Sequence, residues 1–222
     1  GKIQVKYLKN EMVYAGPVIL MQLSLFCLNS ADKFFLSRFT SDNNATVGIY
    51  SIGYVFASVI TILSTAMLQY ILPRFYKNLG SSPVQYKSIK KDFLLYLFVM
   101  ASGTVVMICI TPFLFRFFIN EKYHSGLEYI YIICAGNFLW AVNYFFYAFF
   151  FFAKHKRKLL IISFASILIS TGLNYYLIKN QLAFGAALAT FFSYAIVLML
   201  TLWMVRQQLL KMFRKESHLS TN

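Results

Sequence analysis

The chain has 222 residues, of which 59% are hydrophobic and only 13% charged, and its net charge is +14. Soluble domains carry about 25% charged and about 45–50% apolar residues. This composition, with a mean hydropathy of +0.61, therefore excludes an ordinary soluble domain and predicts an all-α integral membrane protein. The cation excess would suit a nucleic-acid partner if it formed one patch, but the cations are spread over the segments between apolar runs, so no nucleic-acid partner is expected.

Residues 1–12 form a short basic segment with Lys2, Lys6 and Lys9. The first apolar run, Val13–Leu36, covers about 36 Å at about 1.5 Å per residue, against a bilayer core of about 30 Å. It shows no polar face before Cys27 and then places Asp32 beside Lys33. An ionised side chain deep in hydrocarbon costs at least a few kcal/mol. The pair therefore either anchors the helix at the water interface or faces a polar cavity inside a bundle. Ser37–Asn44 is a polar loop.

The second run, Val47–Leu72, ends at Pro73 and carries Gly53, Ala57, Thr61, Thr65 and Gln69 at four-residue steps. Small residues at this spacing let helices approach closely in lipid. Each step drifts about 40° around the helix, so Gln69 could turn toward a cavity. Arg74–Asp92 is a basic loop, followed by runs at Phe93–Phe115 and Leu127–Ala153, the latter rich in aromatic residues. Lys154–Lys158 (KHKRK) is a basic turn. Leu159–Ile178 carries Ser163, Ser166, Ser170 and Asn174 as a polar stripe. A turn at Lys179–Leu182 leads to Ala183–Val205, with Gly185, Ala189 and Ser193 as a second packing stripe, and residues 206–222 form a basic tail.

Six spans are thus predicted, forming one lobe over residues 13–205. Of the 21 Lys and Arg residues, sixteen fall in the N-terminus, Arg74–Asp92, Lys154–Lys158 and the tail; Lys33, Arg38, Arg116, Lys122 and Lys179 fall on the opposite side. This bias places both termini in the cytoplasm and accounts for the net charge as topology signals facing anionic membrane lipid.

No enzyme motif is present, and no cofactor or metal motif. Cys27, Cys109 and Cys134 lie in apolar runs without metal or redox spacing, and His124, His155 and His218 are scattered. The first apolar run is too long for a secretory signal and lacks a cleavage site. Residue 1 is Gly, which reads as a fragment of a longer protein. Polar residues inside the spans are Asn29, Ser30, Asp32, Lys33, Gln69, Asn137, Asn143 and Asn174. Each can serve as a helix–helix hydrogen bond or as a ligand contact.

Leu28–Leu36 (LNSADKFFL) resembles the end of the seventh helix of polysaccharide flippases of the Wzx type, members of the superfamily of multidrug, oligosaccharidyl-lipid and polysaccharide exporters. Val47–Tyr54 (VGIYSIGY) is similar to the start of that family's eighth helix, and Pro73 with Tyr76 to its end. Leu173–Lys179 (LNYYLIK) and Gly185–Thr190 (GAALAT) resemble the last two helices. The resemblance implies a transporter of twelve helices in two lobes, of which this chain would be the second, in a bacterial inner membrane. The implied cargo is an undecaprenyl diphosphate-linked oligosaccharide for O-antigen or capsule, flipped by alternating access, in contact with other polysaccharide-assembly proteins. It also implies that Lys33 and Arg38 hold the diphosphate, that Asp32 orients Lys33 or accepts sugar hydroxyls, and that asparagines bond sugars; Tyr144 and Tyr147 either stack on sugar rings or face lipid and pack. Other readings are a drug or cation antiporter of the same superfamily and a membrane enzyme of polysaccharide assembly. The antiporter would need a cavity dominated by acids, whereas Asp32 and Glu128 are the candidates here. The enzyme would need a long outward loop.

Overall fold

A computed structural model describes residues 5–42, 45–153 and 155–214. Lys2 and the end of the basic tail lie outside the described residues, as do the side chains of residues 5–14. Among the described residues every element is helical: α1 (Val5–Phe39), α2 (Ala45–Gly80), α3 (Tyr86–Phe118), a 3-10 turn (Glu121–Gly126), α4 (Leu127–Phe152) and α5 (Lys156–Arg214). Among the described residues four stretches are long and apolar enough to cross a membrane: Ala45–Gly80, Tyr86–Phe118, Glu121–Phe152 and Arg157–Met212. Helices satisfy their own backbone polar groups, the condition for spanning lipid, and on this basis the chain is a multi-pass membrane protein.

The helices overrun the apolar runs. α2 passes through Pro73 to Gly80 and α3 starts at Tyr86, so the basic loop expected over Arg74–Asp92 shrinks to residues 81–85. Hydropathy marks the part of a helix that suits lipid, and side chains decide whether the helix continues. Here Arg74 forms a two-pronged ion pair with Asp92 of α3, its Nε donating to Oδ2 at 3.1 Å. Asn78 donates to Ser88 at 2.8 Å, and the fully buried Phe75 meets Phe145 and Phe149 edge-on.

α4 is the central helix. Some 72% of its apolar window is buried, against 28% for α2 and 22% for α3. Its aromatic run is therefore core: Phe145 packs on Phe75, Phe93 and Tyr96. The Tyr96 hydroxyl lies 2.8 Å from the Ala141 carbonyl and 2.7 Å from the Ser64 hydroxyl. Further toward the start of α2, on the same buried face, Gly53 approaches the Gly126 carbonyl so closely that a Cβ would sit 3.2 Å from it. The outer faces are apolar, with Phe26, Ile62, Phe98, Leu168 and Trp203 exposed. An apolar surface this extensive suits lipid rather than water.

α5 is not one rod. Leu182 has φ 49° and ψ −125°, and the helical limbs on either side fold back on each other. At one end Lys158 Nζ donates to the Met204 carbonyl, 46 residues away, at 3.2 Å. At the other end Gly185 lies against the Leu177 carbonyl. The limbs match the apolar runs at 159–178 and 183–205. The positive φ of Leu182 is a backbone conformation that suits glycine. Leu182→Gly is therefore expected to leave the melting temperature in detergent unchanged or raise it. Leu182→Pro, with φ locked near about −65°, is expected to prevent folding.

Candidate functional site

The site lies where α1, α2 and the second limb of α5 meet. On α1, Asn29 and Lys33 are one turn apart and share a face, while Asp32 is turned about 100° from Lys33. α2 presents Tyr50 and Tyr54, again one turn apart, and α5 presents Tyr194. The Tyr50 hydroxyl donates to Asp32 Oδ2 at 2.7 Å, and both residues are fully buried. The Lys33 backbone N–H donates to the other carboxylate oxygen at 2.8 Å. Two phenols converge on Asn29 Oδ1: Tyr54 at 3.0 Å and Tyr194 at 2.8 Å. One side-chain oxygen thus joins three elements, and both of its lone pairs are used.

Lys33 and Asn29 sit half-buried at the open edge of this cluster. The Lys33 ammonium lies 3.9 Å from the Tyr54 ring centroid and 3.4 Å from the Asn29 carbonyl. An aromatic face and a carbonyl favour the cation without neutralising it. The Asp32 carboxylate is held by Tyr50 and by the backbone N–H of Lys33 itself. Among the described residues the ion pair formed is Arg74–Asp92, so the Lys33 head keeps a net charge to offer. Behind the cluster, Trp140 packs on Tyr194 at 5.1 Å and on Tyr144 at 5.4 Å.

The other expected site residues go elsewhere. Arg38 is exposed in the last turn of α1, where a cation suits the helix terminus. Gln69 is exposed on α2, beyond the point where its stripe leaves the interior. Asn137 is buried and donates to the Ala57 carbonyl at 2.8 Å, a helix–helix bond. Asn174 donates to the Ser170 carbonyl at 2.8 Å within its own limb. Asn143 is fully buried on α4, and among the described residues Tyr147, one turn on, is the polar side chain beside its amide. Tyr147 is buried in the aromatic core and Tyr144 is half-buried. The packing residues Gly53, Ala57, Gly185, Ala189 and Ser193 are all buried.

Tyr50, Tyr54 and Tyr194 are the site residues that sequence reasoning passed over. The one-turn spacing of Tyr50 and Tyr54 was the available signal, and it is shared by any tyrosine-bearing span. Removing Asn29 takes away the acceptor that two buried phenols share, and a buried hydroxyl left unpaired costs about 1–3 kcal/mol. Asn29→Ala is accordingly expected to lower the melting temperature, while Asn29→Asp, which keeps an acceptor at the same place, should lower it less. Thermal unfolding in detergent measures both. Asp32 beside Lys33 gives the site a buried acid and an accessible cation, able to hold an anion at the edge while Tyr50 fixes the acid. No protein-family model matches the chain, and no curated protein matches it.

Proposed function

We propose that the chain is the second six-helix lobe of a polysaccharide flippase, moving an undecaprenyl diphosphate-linked oligosaccharide across a bacterial inner membrane. The observation that carries this reading is the half-buried Lys33, held by Tyr54 and Asn29 at the open edge of a membrane helix cluster. A diphosphate and its sugars cannot cross hydrocarbon unaided, because each unpaired polar group costs several kcal/mol there. A cation at the edge of a polar cluster supplies a place for the diphosphate. The half-buried Asn29 amide nitrogen beside it suits a sugar hydroxyl, and alternating exposure between two lobes would complete the path. Sixteen cations on one side against five on the other support cytoplasmic termini. The hairpin of α5 supports the count of six helical segments.

The experiment is complementation. The protein carrying this lobe is expressed in a strain lacking its own flippase, and surface polysaccharide is measured. Restoration is expected, and failure at normal protein level would count against the reading. Buried Asp32 on Tyr50 favours one second reading, a cation-driven antiporter. That reading expects drug resistance without polysaccharide restoration.

A further inference from the structure

At the end of α5 where Lys158 meets Met204, the two limbs leave an open pocket of about 340 Å³ lined by Lys158, Ile161, Trp203, Met204, Arg206 and Gln207. It lies about 15 Å along the limb from Tyr194, at about 1.5 Å per residue, and shares no residue with the Asp32–Lys33 cluster. Lys158 donates to the Met204 carbonyl. The Arg206 guanidinium lies over the Trp203 ring, 5.8 Å from its centroid, and is exposed. α5 contains no Asp or Glu along its whole length, so these cations have no carboxylate on their own element. Asp92 of the neighbouring α3 is taken by Arg74.

Among the described residues neither Lys158 nor Arg206 has a carboxylate partner, and positive charge in a pocket attracts an anion. The walls specify which kind. Ile161 and Trp203 are largely exposed, and apolar rows run on from them: Phe164 and Leu168 on the first limb, Met199 and Ile196 on the second. A free phosphate gains nothing from such rows. An amphiphile uses the cations for its head and the rows for its chain, and tryptophan at this level is typical of the membrane interface.

We propose that this pocket binds an anionic phospholipid, its phosphate and headgroup between Lys158 and Arg206 and one acyl chain along the groove between the limbs. The proposal needs α5 to cross the membrane and stands apart from the transport reading. Bound there, the lipid staples the open end of the hairpin opposite Leu182.

Trp203 is an exposed reporter at the site, whereas Trp140 is buried. The protein is reconstituted in phosphatidylcholine bilayers containing a small fraction of phosphatidylglycerol or phosphatidylcholine brominated on the acyl chain. Tryptophan quenching is read as the difference between the parent and Trp203→Phe. Brominated phosphatidylglycerol is expected to quench at a mole fraction at least about tenfold lower than brominated phosphatidylcholine. Each Lys or Arg near the surface strengthens attraction to anionic lipid about fivefold. The double change Lys158→Gln with Arg206→Gln should therefore remove the preference. Lys87→Gln with Lys91→Gln, exposed cations on α3, should keep it. Equal quenching of the Trp203 signal by the two lipids overturns the proposal. So does a preference that survives the Lys158/Arg206 change. Loss of the preference on adding millimolar glycerol phosphate at constant ionic strength would assign the pocket to a soluble phosphate and overturn it as well.

Discussion

Gly185→Ala is expected to remove most of the folded protein from the membrane. A Cβ at this position would lie 2.1 Å from the Leu177 carbonyl oxygen, 2.5 Å from its carbon and 3.0 Å from the Ile178 nitrogen. All three are backbone atoms, so no rotamer change relieves the clash and one limb of α5 must move. That shift would open the seam holding buried Ala186, Ala189, Thr190 and Ser193. Ordinary overpacking costs about 1–3 kcal/mol, and a clash with backbone belongs at or above the top of that range. Native stability is only about 5–15 kcal/mol. Two other glycines give the scale. Gly103→Ala meets only the flexible end of Leu63 and should cost little, and Gly172→Ala enters open space and should gain up to about 1 kcal/mol from helix propensity. Yield of monodisperse protein and its melting temperature, compared across the three variants, measure the order. A Gly185→Ala protein as abundant and stable as its parent would contradict the hairpin.

Lys33→Ala is expected to abolish polysaccharide restoration with little change in protein level. Its ammonium rests on the Tyr54 ring and the Asn29 carbonyl at the open edge of the cluster. Truncation therefore removes a charge without leaving a buried partner unpaired. Losing one member of a desolvated charge contact costs about 2–5 kcal/mol, and about 3 kcal/mol corresponds to a rate loss of about a hundredfold. Lys33→Arg keeps the charge and should keep part of the activity. Asp32→Asn should be milder, because the amide oxygen can still accept from Tyr50. Arg38→Ala should have little effect, since Arg38 is exposed at the end of α1. Polysaccharide output normalised to protein level separates these variants.

The apolar runs were legible because their length and periodicity are local properties of the chain. The sharing of a face by Asn29 and Lys33 was legible for the same reason: one turn of helix sets it. What escaped was everything decided between elements. Hydropathy could not tell that α2 continues past Pro73, because the cause is the pairing of Arg74 with Asp92, eighteen residues on. It could not distinguish Gln69, which ends outside, from Asn137, which ends on the Ala57 carbonyl. Adjacency made Lys33 the natural partner of Asp32, yet the carboxylate is turned toward α2 and meets Tyr50. Tyr194 is 165 residues from Asn29 in sequence, and no local pattern joins them.

The most direct test is translocation itself. The protein carrying this lobe is reconstituted in liposomes with a fluorescent undecaprenyl diphosphate oligosaccharide, and movement between leaflets is followed by an impermeant quencher. The parent should accelerate translocation over protein-free liposomes, and Lys33→Ala should slow it at least about tenfold. Rates equal to those of protein-free liposomes, or identical for parent and Lys33→Ala, would contradict the proposal.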